Sequence, residues 1–259
     1  DLHRRRHSFP TRRSSDLTNQ SIYQYSGANA DAVIAMLKAR RECKEMSLSI
    51  NFRSTPEIVE YTNKYSTLTA TAFKPSGGVV HKEIILLEDL VHILKDEPHT
   101  TVLVRTNSVI REIEKKLMMR KVVMKYNNYL IAKECEMLKK AEARPSTMKK
   151  AKALLPVFKT IDNAIQFIEE CNSNPNVKSE VLTIHKSKGL EYPSVVLVNS
   201  IAPELLTENK IENLPEKKFK EISFYNDDTD DPENFEAKNI FFVGTSRAIH
   251  TLRFMIYGV

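Results

Sequence analysis

Glycine is scarce in this chain of 259 residues: there are six, Gly27, Gly77, Gly78, Gly189, Gly244 and Gly258. Average usage is about 7%. None of the six is followed by lysine, so the chain contains no GxxxxGK[ST] phosphate loop, and no GxGxxG fingerprint either. A nucleotide bound here would lack the usual cradle for its phosphates. Cysteine is equally sparse. Cys43, Cys135 and Cys171 are far apart and show no CxxC spacing, which suggests neither a disulfide framework nor a zinc knuckle. A reducing, cytoplasmic setting is the plain expectation. No apolar run approaches the roughly 18 residues of a membrane span, so no membrane partner is expected.

What is present is ordinary for a globular chain: 41% hydrophobic and 28% charged residues, with a formal net charge of +6. The length suits one large α/β domain, or one domain with part of another. The charge is unevenly placed. Residues 1–17, DLHRRRHSFPTRRSSDL, hold five Arg and two Asp and so carry +3; the other 242 residues carry 34 basic and 31 acidic groups. A basic arm for nucleic acid would explain the arginines. A targeting peptide fits less well, because there is no apolar core. The string also resembles translated sequencing-adapter DNA, and it is read here as a non-native leader outside the fold.

The remainder alternates helical and extended patterns. Residues 31–46 read as an amphipathic helix with Ala32, Val33, Met36 and Leu37 on one face. A short strand is expected at Leu48–Ile50. Ser54-Thr55-Pro56-Glu57 opens a helix, with Pro near its first position. Val79–Leu87 and Thr101–Val104 read as strands, Ser108–Met119 as a helix, and Val122–Tyr126 as a further strand. A Lys/Glu-rich helical stretch (128–150) and a helix over Lys159–Cys171 follow. Then come strands at Glu180–Ile184 and Ser194–Val198, a polar excursion (203–234), a helix over 235–248 and a strand over 251–257. Nearly all-apolar strands alternating with helices predict an α/β fold, a parallel sheet with helices on both faces.

Four segments carry chemistry: 19–28 (NQSIYQYSGA), 51–55 (NFRST), 182–192 (LTIHKSKGLEY) and 242–248 (FVGTSRA). Each has a bland reading. Arg53 could make a surface ion pair, Lys186 and Lys188 could lie in a solvated turn, and Tyr23 and Tyr25 could be strand residues. Arg247 could answer a helix dipole.

Taken together and in this order, the segments resemble motifs III, IV, V and VI of the UvrD/Rep/PcrA family of superfamily 1 DNA helicases. The stretch VLVRTNSVIREIEKKL (102–117) resembles the family's motif IVa. The resemblance covers about 18–125 and 180–257. It implies the second of two RecA-like domains, without a phosphate loop of its own. In such enzymes ATP and Mg²⁺ sit between the two domains, and the second supplies arginines to the transferring phosphoryl group. Arginine fingers of this kind are worth about 10³–10⁵ in rate in other nucleotidases.

By that resemblance Arg53 and Arg247 stand at the two finger positions, and Gln20 at the γ-phosphate-sensing glutamine. Phe52, where the family has Tyr, would stack on the adenine. Glu191 would accept from the ribose, and Lys188 and Gly189 would shape the motif V turn beside the phosphates. Tyr23 and Tyr25 would stack on DNA bases, Tyr25 replacing the family's Trp. Arg105, Asn107, Thr183 and His185 would line the DNA backbone path. Ser26 stands where an Arg is common.

The implied organisation is a leader (1–17), a remnant of the first RecA-like domain (18–46), the first part of the second domain (47–125), a shortened helical insertion (126–180) and the second part (181–259). The insertion reads either as a solvated helical face or as a reduced duplex-contacting subdomain. Ile84–Asp89 has a Walker B-like look but reads better as a strand ending in a helix cap. Asp227–Asp231 lacks calcium-loop spacing and reads as a solvated loop.

The functional expectation is the C-terminal part of an ATP-dependent helicase translocating 3′→5′ on single-stranded and forked DNA, in the cytoplasm or on the nucleoid. The chain alone is expected to lack ATPase activity. Its metal ligands are expected to lie in the first domain. The alternatives are the helicase part of a RecB/AddA-type helicase–nuclease, or a non-catalytic single-strand-binding module.

Overall fold

The computed structural model describes residues 35–36, 38–39, 48–126, 154–201 and 232–258. The leader at 1–17, the segment with Gln20, Tyr23 and Tyr25, the helical stretch 128–150 and most of the polar excursion lie outside the described residues. Of the helix expected over 31–46, only four residues are described, with Ala39 N–H donating to Ala35 O at 3.0 Å.

The described chain runs β1 (Ile50–Asn51), α1 (Pro56–Asn63), β2 (Thr71–Ala72), β3 (Val79–Ile85), α2 (Leu87–Asp96), β4 (Thr100–Val104) and α3 (Asn107–Met119). It resumes with α4 (Leu155–Phe158), α5 (Ile161–Ser173), β5 (Glu180–Thr183), β6 (Tyr192–Ile201), α6 (Pro232–Thr245) and β7 (Ala248–Gly258). Five strands form one parallel sheet in the order β3-β7-β6-β4-β5, and β1 pairs with β2 in a separate parallel ribbon. The α/β expectation holds.

Strand alternation sends side chains to two cores. Val195 and Leu197 of β6 and Leu252, Phe254 and Ile256 of β7 pack with Ile58 and Tyr61 of α1 and Ala237, Ile240, Phe241 and Val243 of α6. Val196, Val198, Met255 and Tyr257 point the other way, against Leu90 and Leu94 of α2, Ile110, Ile113 and Leu117 of α3, and Ala164 and Ile168 of α5. Covered on both faces, β4 is buried along its whole length, which is why it reads as an apolar run. The outer strand β3 leaves Lys82 and Glu83 exposed; charge on an edge discourages pairing with another sheet.

Several boundaries differ from the sequence reading. The strand expected at Leu48–Ile50 is β1, displaced to Ile50–Asn51. Val122–Tyr126 is not a strand. It makes one bridge, Lys125 to Glu180, while Val122 N–H donates to Leu117 O at the end of α3 and Lys125 Nζ to the carbonyls of Cys171 and Asn174. Asn172 Oδ1 accepts from Tyr126 N–H at 2.9 Å, and the Tyr126 hydroxyl donates to Val122 O at 2.7 Å. The helix expected from Lys159 starts two residues later. Lys159 takes a left-handed conformation (φ 64°) and Thr160 Oγ1 caps α5 by accepting from Asn163 N–H at 3.2 Å. The final helix runs Pro232–Thr245, ending before Ser246 and Arg247 turn into β7. Ile84–Asp89 is a strand end followed by a capped helix, since Asp89 Oδ2 accepts from Leu86 N–H at 2.8 Å.

Two polar latches fix the helices to the sheet. Glu97, just past α2, takes a two-pronged contact from Arg253 of β7 (2.5 and 2.9 Å) and accepts from Ser194 of β6 and Thr100 of β4. Burial pushes the Glu97 carboxyl up, but Arg253 and the two hydroxyls bring it below its ordinary value. Glu57, in the first turn of α1, accepts from the Ser76 hydroxyl and from the N–H groups of Gly77 and Gly78 (both 3.1 Å). These bonds, Ser76 foremost, hold its carboxyl at about 2.

Gly78 occupies a close approach. A Cβ there would lie 2.0 Å from Thr55 Oγ1 and 2.8 Å from His250 O, so the turn into β3 must part from α1 and β7 to admit one. Gly78→Ala is expected to cost about 1–3 kcal/mol, read as a lower midpoint in urea unfolding. An unchanged midpoint would show that the turn yields without loss.

Candidate functional site

The site begins with a local turn. Asn51 Oδ1 accepts from the backbone N–H of Arg53 (2.8 Å) and of Ser54 (3.0 Å). This Asx turn, of the kind short amide side chains favour, bends the chain out of β1 and throws Phe52 and Arg53 outward. The next residues are pinned to the start of β7. Ser54 Oγ donates to Ala248 O at 2.7 Å, and Thr55 N–H donates to Ile249 O at 3.0 Å. On the β1 side, Phe73 N–H donates to Asn51 O at 2.8 Å.

α6 ends beside this turn. Arg247 is 1% exposed. Its Nε–H donates to Val243 O (3.0 Å), one Nη to Leu190 O (3.2 Å) and the other to Ser246 Oγ (2.9 Å). Arg53 approaches the same residue, donating to Ser246 O at 3.5 Å. Its Nε–H also pairs with Glu191 at 2.9 Å. Two guanidiniums thus converge on Ser246, with one carboxylate beside them. Phe52, Arg53, Glu191, Ser246 and Arg247 line a cleft of about 450 Å³, shared with Asn51 and Asn63 among others. That volume is within the range of small-molecule sites. The far wall is held by Asn63, whose amide exchanges hydrogen bonds with Ala70 N–H (3.0 Å) and Ala70 O (2.8 Å).

The bland readings of the two arginines hold in their contacts. Arg53 does form an ion pair, and its partner is another site candidate. Arg247 does answer the carbonyl end of α6, at Val243, while lining the cleft.

The remaining candidates sit elsewhere. Arg105 and Asn107 follow the C-terminal end of β4, and both are exposed. Thr183 ends β5, and Ile184 N–H donates to Val104 O at 2.9 Å, placing His185 beside that same end. The Thr183 hydroxyl accepts from Lys186 N–H at 3.2 Å, and the residue is buried. Glu191 and Arg247 immediately precede β6 and β7, at the opposite end of the sheet. By the strand register the two groups are separated by seven to eight residues, roughly 25 Å along the sheet at about 3.3 Å per residue.

Residues 184–191 connect the two ends. Ser187 N–H bonds back to Thr183 O and Ile184 O, its hydroxyl donates to Ile184 O, and Leu190 N–H donates to Ser187 O. Lys188 is half-buried within this compact run. Gly189 has φ +89°, a conformation in which a Cβ is strained whatever the space.

Tyr192, the first residue of β6, has its phenol pushed up to about 12, chiefly by burial, with Glu180 adding and Arg247 opposing. Among the described residues no group of three or more His, Cys, Asp or Glu side chains gathers as a metal ion would need. The arginine-rich donor set of the cleft suits an anion.

Asn51, Ser246 and Phe73 are missed by motif reading. Asn51 and Ser246 lie inside quoted segments, and Asn51's turn-forming chemistry was readable. Phe73 sits 22 positions beyond Asn51 in sequence and only the pairing of β1 with β2 brings it near. Asn51→Ala removes the acceptor for two N–H groups, and is expected to cost about 1–2 kcal/mol in urea unfolding. Asn51→Asp, which keeps the acceptor, should retain most of that stability. Equal stability of Asn51→Ala and the parent would contradict the turn's role.

The family model of the UvrD-like helicase C-terminal domain matches residues 128–258. No match is found among curated proteins. The matched range holds β5, β6, α6 and β7, and with them Glu191, Arg247 and the 184–191 connection. Arg53, Phe52, Arg105 and Asn107 lie upstream of it on the same sheet and cleft. Among the described residues no helix is long and apolar enough to cross a membrane. With half of its length matched, and with a five-stranded parallel sheet flanked by helices on both faces, the chain belongs to the UvrD-like helicase C-terminal domain family.

Proposed function

We propose that the chain is the second RecA-like domain of an ATP-dependent DNA helicase, and that its cleft is the finger side of the ATP site. The observation that carries this reading is the convergence of Arg53 and Arg247 on Ser246, beside Glu191 and Phe52. Two guanidiniums held close repel each other, and a polyanion between them relieves that repulsion. Arginine suits the task because its planar fork stays charged and matches phosphate oxygens. Glu191 accepts from a ribose hydroxyl, and Phe52 offers a ring face to the base. ATP needs Mg²⁺ for hydrolysis, and the carboxylates for it are expected from a partner domain bearing a phosphate loop.

Arg53 is held by Glu191 at 2.9 Å. Both side chains are partly exposed, so the pair is weak and exchangeable. A triphosphate competes for Arg53 with more charge than one carboxylate supplies.

Arg105, Asn107 and His185, at the other end of the sheet, form the DNA side. Thr183 supports it by holding the turn that carries His185. Tyr23 and Tyr25 would add stacking faces, worth about 1–3 kcal/mol per base, and Gln20 would report the γ-phosphate from the first domain. The 184–191 connection, with Lys188 and Gly189, joins the two sides. Translocation 3′→5′ on single-stranded or forked DNA, in the cytoplasm or on the nucleoid, follows from the family resemblance.

The test is DNA-stimulated ATP hydrolysis. The 259-residue chain alone is expected to show none, since it has no phosphate loop. Joined to a RecA-like domain carrying GxxxxGK[ST], it should turn over ATP. Arg247→Ala should then lower kcat by about 10³ while leaving KM for ATP within about threefold. Equal losses in kcat and in ATP affinity would contradict the finger role. Hydrolysis by the unjoined chain would contradict the division of labour between domains.

A further inference from the structure

Two large aromatic rings stand in water at the mouth of the cleft. Phe52 is 63% exposed and Phe73 70%. Neither belongs to either core. They touch each other, with ring centroids 4.9 Å apart and planes inclined by 44°. An exposed aromatic forgoes the stabilisation of burial, so the pairing calls for a reason outside the core.

The backbone shows how the pair is built. Phe73 follows β2, and its N–H donates to the carbonyl of Asn51, the residue immediately before Phe52. The β1–β2 ribbon, with Ile50 opposite Thr71 and Asn51 opposite Ala72, therefore fixes Phe73 to the turn that projects Phe52. Phe52 lines the cleft, whereas Phe73 does not. Phe73 touches the Phe52 ring from outside the space a ligand would fill.

We infer that Phe73 is a positioning residue: it braces the Phe52 ring so that one face is presented to a nucleobase entering the cleft. This rests on the proposed reading of Phe52 as the base-stacking residue. An unbraced ring at this exposure would sample several rotamers and lose freedom on binding. A braced ring has already lost it, which is the usual gain from preorganisation. The β1–β2 ribbon, too short to add a core layer, thereby acquires a role. It carries Phe73 to Phe52 and holds it there.

The experiment uses the full 259-residue chain and two probes, ATP and inorganic tripolyphosphate, titrated by NMR. Four variants are compared with the parent: Phe52→Ala, Phe73→Ala, Phe73→Leu and the double Phe52→Ala, Phe73→Ala variant. ATP should bind more tightly than tripolyphosphate to the parent. Phe73→Ala should weaken ATP binding about threefold to tenfold, leave tripolyphosphate binding unchanged and leave the unfolding midpoint unchanged. In the Phe52→Ala background, Phe73→Ala should have no further effect, and Phe73→Leu should restore part of the affinity in the parent. If Phe52→Ala weakens ATP binding but Phe73→Ala does not, the bracing role is overturned and the base-stacking reading survives. A further loss in the Phe52→Ala background overturns bracing in favour of direct base contact. If the parent binds ATP no more tightly than tripolyphosphate, both the reading of Phe52 and the inference built on it fall.

Discussion

Two guanidinium groups that both reach Ser246 are the constraint around which the cleft is organised. Arg53 reaches the Ser246 carbonyl and Arg247 its hydroxyl. Like charges at such range repel unless something answers them. Inside the chain the Glu191 carboxylate answers one arginine, and the carbonyls of Val243 and Leu190 are among the partners of the other. Each piece of local structure serves that arrangement. The Asx turn at Asn51 aims Arg53, the end of α6 at Thr245 releases Ser246 and Arg247 into the turn, and the Ser54 and Thr55 contacts bring the Asn51 turn against the start of β7.

The parallel sheet gives this cleft a fixed relation to the rest of the molecule. All strands point one way, so the connections entering β6 and β7 gather at one end and those leaving β4 and β5 at the other. The arginines belong to the first end, and Arg105, Asn107 and His185 to the second. The 184–191 run leaves β5 at one end and enters β6 at the other, closed by its own hydrogen bonds and by a glycine in a positive-φ conformation.

Much of this was legible in the sequence, for identifiable reasons. β4, β6 and β7 are apolar on both faces, and the motif segments carry unusual residues at the turns. Hence the sheet, the helices and the grouping of Phe52, Arg53, Glu191 and Arg247 could be anticipated. What escaped were features set by pairing between distant segments. The β1–β2 ribbon is two residues per strand and carries no pattern of its own. Val122–Tyr126 alternates like a strand, yet it makes a single bridge to β5, and its other bonds go to Leu117, to Asn172 and its neighbours, and to itself. Phe73 looks like any loop aromatic until the ribbon sets it against Phe52. The burial of Arg247 was likewise invisible, since an arginine near a helix end is normally solvated.

Different ligands at the two ends of the sheet are the central expectation of the proposed function. Amide chemical-shift mapping of the full chain tests this most directly, with ATP and an oligo-dT strand titrated separately. ATP should perturb Arg53, Glu191, Ser246 and Arg247, while the oligonucleotide should perturb Arg105, Asn107 and His185. ATP perturbations centred on Arg105 and Asn107, or none around Ser246, would contradict it.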